Sequence, residues 1–185
     1  MRLGAGTAAL AAFVVAVAVA IAVATGASEK ATAASGEIGS VLGKSGLPLP
    51  RFVSLKATRV NVRVGPGEDY NVTWVFTRPE LPVEIIQEFD NWRRIRDSDG
   101  SVGWVFHSLL SGKRTAVVTP WTNGEPRPIR ATASADAAVT AYLQPGVMAS
   151  IDRCAAGWCR LSGDGFRGWI EQTQLWGVYP GEEVD

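Results

Sequence analysis

Two thiols, one imidazole and a few paired carboxylates are the side chains in this 185-residue chain best suited to chemistry. Cys154 and Cys159 stand in CAAGWC, a Cys-x4-Cys spacing too wide for a redox Cys-x-x-Cys pair. Zinc would need further thiol or imidazole ligands, and His107 is the only histidine. A Cys–His nucleophile needs a thiolate activated by a neighbouring base, and no partner can be named for either group. Glu68-Asp69 and Asp97-Ser98-Asp99-Gly100 lie in turn-type segments, where Asp is favoured for backbone reasons. The second also lacks the later bidentate Glu of a calcium loop. Gly65-Pro66-Gly67 follows a β-type run and raises the question of a phosphate cradle. No helix follows it, no Lys-Ser/Thr pair closes it, and Pro66 lacks an N–H. The expectation is no catalytic residue, no metal site and no cofactor.

The N-terminus bounds the compartment. Arg2 is followed by an uncharged apolar run, Ala8 to Ala24, and then by Thr25-Gly26-Ala27. A basic start, an apolar core and a small-residue end describe a secretory signal peptide over residues 1–27. The run is at the short limit for a bilayer span, so membrane contact is expected only in transit through the signal peptide. The expected destination is exported, with the periplasm as the compartment. In an oxidising compartment disulfides persist, and Cys154 and Cys159 are expected to close a β-hairpin. The chain carries 18 basic and 18 acidic side chains. That balance gives no basic face for nucleic acid.

These residues must be positioned by β-structure. Residues 28–50, rich in Ala, Gly and Ser, read as a flexible linker. From Phe52 onward short β-type runs alternate with turn signals, as in a small sandwich or barrel. The runs are Val60–Val64, Val72–Phe76, Leu81–Phe89, Trp92–Arg96 and Val102–Phe106, with Leu81, Val83, Ile85 and Phe89 sharing a face by period two. The pattern then recurs. Arg63, Pro79, Trp92 and Gly103-Trp104 are echoed at nearly equal spacing by Arg130, Pro145, Trp158 and Gly168-Trp169. Repeated spacing implies two copies of one unit. The boundaries are 51–113 and 128–180, with 114–127 as linker. If Ile95 and Val105 point inward, Trp92 and Trp104 face out on adjacent strands, and Arg94 shares their face. Leu161 and Ile170 inward would likewise turn Trp158 and Trp169 outward. Two roles stay open for these indoles. They can build a ligand groove with Tyr70 and Arg94, or they can cap the barrel mouth and pack the junction between units.

NVRVGPGEDYNV, DNWRRIR and GWVFHSLL together resemble a bacterial Src homology 3-like domain over Phe52 to Ser111. Pro128 to Trp176 keeps Arg130, CAAGWCRL and FRGWI but has Ala-Thr-Ala-Ser where the first copy has Val-Gly-Pro-Gly. The resemblance implies an all-β chain of two tandem small five-stranded barrels. It implies a non-enzymatic binding or adaptor module, with a peptidoglycan fragment or an envelope protein as partner. The alternatives are an accessory subunit of a cell-wall hydrolase and a purely structural periplasmic protein. Intact-mass analysis of the exported protein should show a start near residue 25 or 28 and no alkylatable thiol. An intact Met1 would mean an anchor instead.

Overall fold

A computed structural model describes residues 41–185. The expected signal peptide and the first part of the expected linker, residues 28–40, lie outside the described residues. Val41–Leu42 (β1) and Pro48–Leu49 (β2) form a short antiparallel hairpin, so the last part of that linker is ordered.

The first barrel comprises Arg51–Leu55 (β3), Val60–Arg63 (β4), Val72–Phe76 (β5), Pro82–Phe89 (β6), Trp92–Arg96 (β7), Val102–Phe106 (β8) and Leu110–Ser111 (β9). A single 3₁₀ turn, His107–Leu109, joins the last two. The second comprises Thr115–Val118 (β10), Arg127–Arg130 (β11), Val139–Leu143 (β12), Met148–Ala155 (β13), Trp158–Gly163 (β14), Phe166–Glu171 (β15) and Leu175–Trp176 (β16), with its 3₁₀ turn at Gln172–Gln174. The strand order is β5-β4-β8-β7-β6-β3-β9 in the first sheet and β12-β11-β15-β14-β13-β10-β16 in the second, the same topology twice. Each copy thus adds a leading strand and a short closing strand to the expected five. The leading strand of the second copy falls in the expected 114–127 linker. Thr115, Ala116, Val117 and Val118 are all buried, because they pair with β13 and β16. The β-branched run TAVV is a strand because it is covered on both faces.

The cores follow the period-two reading. Val60, Val62, Val83, Ile85, Ile95 and Val105 fill the first, and Ile129, Leu143, Ile151, Leu161 and Ile170 the second. Each such side chain contributes about 1.5–3 kcal/mol on burial. The exception is Phe89, which is 46% exposed. The register of β6 against β7 shifts between Ile85 and Gln87. That β-bulge inserts one residue and reverses the faces beyond it, so Glu88 turns inward and Phe89 outward. An identical shift occurs between Ile151 and Arg153 in β13. It places Cys154 opposite Cys159, and their disulfide is joined and buried in the second core.

The barrels share a seam. Trp176 Nε1–H donates to Pro82 O (3.0 Å), Thr115 Oγ1 to Glu80 O (2.7 Å) and the Tyr179 hydroxyl to Glu84 Oε1 (2.8 Å). Phe52 packs edge-on against Trp176 at 5.0 Å and lies 4.7 Å from the Tyr179 ring. Gly177 takes φ +119° where its backbone runs against Thr115 O, Ala116 and Pro82. A side chain there would strike the Thr115–Ala116 backbone within the second barrel and crowd Pro82 of the first. Phe52, Trp176 and Tyr179 build this junction, while Trp158 and Trp169, for which it was one of two open roles, lie on β14 and β15 opposite Glu171 and Arg160.

Glu88 is the most strongly held carboxylate. Its side chain is 1% exposed. It accepts from Ser45 N (2.8 Å), Ser45 Oγ (2.7 Å) and Arg51 Nη2 (2.7 Å), with Arg93 Nε at 3.3 Å. Burial alone would raise its pKa. The Ser45 hydrogen bonds, Arg51 and Arg93 overcome that and bring it from 4.5 down to about 2. A folded-state pKa below the unfolded value stabilises the fold above the unfolded pKa. Stability from this group is therefore complete above about pH 4.5 and is lost as pH falls toward 2. Urea titrations at pH 7 and pH 3 should show Glu88→Gln costing about 3 kcal/mol at pH 7, since two guanidinium groups lose their buried partner. The difference from wild type should shrink at pH 3.

Candidate functional site

The site is built on the outer face of β4, β7 and β8. Cross-strand partners there are Trp92 with Phe106, Arg94 with Trp104, and Arg63 with Trp104. Ile95 and Val105 are fully buried on the other face, so alternation turns this row outward. The Trp92 and Phe106 rings meet edge to face at 5.4 Å. They form one wall of a groove of about 330 Å³ whose other residues are Arg59, Asn61, Arg63, Glu68, Ser108 and Leu109.

Two local devices shape this groove. The first is Gly103. A Cβ at this position would strike Val62 and lie 3.1 Å from Arg63 O and from the Trp74 ring. Glycine here lets β8 run tightly against β4. Gly168 repeats the device, with Arg130 O at 2.9 Å and Thr140 Oγ1 at 3.0 Å from where a Cβ would stand. This is the physical content of the two Gly-Trp pairs. The second device is Arg63. Its Nη1 donates to Tyr70 O at 2.6 Å and closes the excursion 64–71 alongside the Val64 N to Asn71 O bond. Arg130 does the same to Ala137 O at 2.8 Å, with Ala131 N to Ala138 O.

The two excursions therefore share one backbone although one reads VGPGEDYN and the other ATASADAA. Neither Gly65 nor Gly67 has a positive φ. Gly65 is instead covered by the Tyr70 ring, which leaves no room for a Cβ. The path of the excursion is set by hydrogen bonds, and Gly65 answers to tyrosine packing.

Of the expected groove residues, only Trp92 lines the groove. Trp104 and Arg94 lie on the same face beyond it. Tyr70 lies over Gly65 and Gly67. Trp158 and Trp169 occupy the corresponding places in the second barrel, beside Glu171 and Arg160. Phe106 was legible from the alternation Val102, Trp104, Phe106. Asn61 was legible from the alternation Val60, Asn61, Val62, Arg63, whereas Arg59, Ser108 and Leu109 had no sequence signal, because they reach the groove from a strand end and from the 3₁₀ turn. Trp74, also unsignalled, packs on the first core with its indole N–H buried and without a partner.

The groups considered for catalysis are dispersed. His107 is exposed, stacks at a tilt 5.0 Å from Phe106 and makes its backbone bond to Asn91 O. Asp97 Oδ1 accepts from Asp99 N (3.1 Å) and Ser101 N (2.8 Å), which is the turn role expected of it. No cluster of His, Cys, Asp and Glu suited to a metal ion occurs among the described residues.

A family model described as Bacterial SH3 domain matches residues 56–112 and again 123–177. No curated protein matches the chain. Among solved structures, NlpC2 from Trichomonas vaginalis is similar at 13% identity and a TM-score of 0.32, over 69% of this chain and 48% of that one. NlpC1 from the same organism is similar at 13% identity and a TM-score of 0.31, over 68% and 45%. The chain thus spans less than half the length of either. Denaturant titration of Gly103→Ala and Gly168→Ala should each show a loss of about 1–3 kcal/mol from overpacking. An unchanged midpoint in both would mean that the strands do not approach so closely.

Proposed function

Because the chain belongs to the bacterial SH3 domain family, in two tandem copies, we propose that it is a non-enzymatic binding module of the cell envelope. Its first copy holds a peptidoglycan fragment in the groove walled by Trp92 and Phe106. The observation that carries this reading is the groove itself. It pairs an aromatic corner with polar groups that converge on it, the usual make-up of a ligand site. Arg59 and Glu68 form no ion pair or side-chain hydrogen bond among the described residues. Export supports the same reading. The N-terminal pattern suits a secreted chain, and a buried disulfide suits an oxidising compartment. Trp104, Arg94 and Tyr70 extend the face on which a longer ligand would lie, and Trp158 and Trp169 offer a second, weaker face.

Sedimentation with purified peptidoglycan tests this. Wild type should be retained. Trp92→Ala with Trp104→Ala should lose at least tenfold, since truncating a central aromatic costs about 2 kcal/mol or more. Trp158→Ala with Trp169→Ala should lose less. Absence of wild-type retention would sink the proposal.

A further inference from the structure

The two copies share a fold but not a groove, and the difference names the chemistry. The identical strand registers align the copies residue by residue. Trp92 corresponds to Trp158, Arg63 to Arg130 and Gly103-Trp104 to Gly168-Trp169. Along β4 and β11, counted from that Arg pair, Arg59 becomes Pro126 and Asn61 becomes Pro128. In the excursion Glu68 becomes Ala135. On β8 and β15 Phe106 becomes Glu171. The second copy keeps everything that makes the barrel: the glycine, the Arg staple and the tryptophans. It lacks Arg59, Asn61, Glu68 and Phe106, four residues that line the groove and that the fold does not require.

What the first copy alone retains is a pair of guanidinium groups, one carboxylate and an aromatic corner. Arg63 spends one N–H on Tyr70 O and leaves the rest of its fork for the groove that Arg59 also lines. Guanidinium forks are matched to carboxylates. Glu68 is the groove's single acid, on an excursion that the Arg63 staple fixes in place. The volume, about 330 Å³, is at the small end of ligand pockets, which run from about 300 to 1,000 Å³. Such a volume suits the end of a chain better than a polymer in passage.

We infer that the groove of the first copy is a receptor for the carboxylate end of a short peptide that also carries a free amine. Arg59 and Arg63 take the carboxylate, Glu68 takes the amine, and Trp92 with Phe106 cover an apolar side chain between them. This deepens the proposed function and rests on it.

NMR titration of the ¹⁵N-labelled full chain tests the inference, with Ala-Leu-Ala as probe. The free-ended peptide should shift the Trp92 indole and the Phe106 and Ser108 amides while leaving Trp158 unmoved. C-terminal amidation, or Arg59→Gln, should weaken binding at least tenfold. N-acetylation should weaken it, and Glu68→Gln should abolish the difference between acetylated and free peptide. Equal binding of the amide would overturn the inference, as would shifts confined to Trp158. An oligomer of N-acetylglucosamine that moved Trp92 as strongly as the peptide would overturn it too. Retention on peptidoglycan with silent peptides would sink the chain-end inference alone. Failure of both would sink the binding reading with it.

Discussion

Both barrels depend on one close approach, where β8 passes β4 and β15 passes β11 with nothing but a glycine hydrogen between them. Gly103 lies against Val62, Arg63 O and Trp74, and Gly168 against Arg130 O and Thr140. A small sheet has few residues with which to enclose a core. It can do so only by curling hard, and the crossing at glycine permits the curl. The outer face inherits its geometry from this point. Trp104 is held opposite both Arg63 and Arg94, and Trp92 is brought up against Phe106. The Arg63 staple then sets the excursion that carries Glu68 to the groove.

The copies use different chemistry at matching positions. Registers align Glu88 with Cys154 and Arg93 with Cys159, one residue beyond the bulge in each hairpin. In the first barrel the pair is an ion pair, further held by Arg51 and Ser45. In the second it is a disulfide. The same cross-strand closure has been met once by charge and once by a covalent bond. The seam shows a comparable divergence. Glu84, 2% exposed, is bound by Arg96 and by Tyr179. Its counterpart in the second copy is Ser150, which shares a cavity with Arg78 and Glu80 of the first barrel. Burial, followed by the Glu84 carboxylate, pushes the Tyr179 phenol well above its ordinary value, so this hydroxyl stays a donor across the seam.

Much of this was legible in the sequence because period two is a strong signal. It placed Ile95, Val105, Leu161 and Ile170 inside and the paired tryptophans outside. The equal spacing of Arg, Trp and Gly-Trp disclosed the duplication, and the expected oxidising compartment pointed to the hairpin bond between the cysteines. Reading failed where a local rule met a tertiary one. Phe89 kept the alternation on paper, but a bulge reversed it, and nothing in Ile85-Ile86-Gln87 announces a bulge. Thr115–Val118 reads as a β-prone piece of a linker, but the partners that bury it lie far along the chain. Phe52, Trp176 and Tyr179 gave no sign that they would meet. The groove was half legible: β4, β7 and β8 carry period, whereas Arg59, Ser108 and Leu109 arrive from segments with none.

The flanking segments of the two barrels are fastened at equivalent places. Ser45, in the β1–β2 hairpin, sits on Glu88, while Val184 exchanges both backbone hydrogen bonds with Cys154. Each flank is thus pinned near the tip of a β-hairpin. The first clasp is ionic and yields to protons; the second clasp is seated on a disulfide and yields to reductant. A module fastened in this way would loosen its two flanks under different conditions, one in acid and the other on reduction.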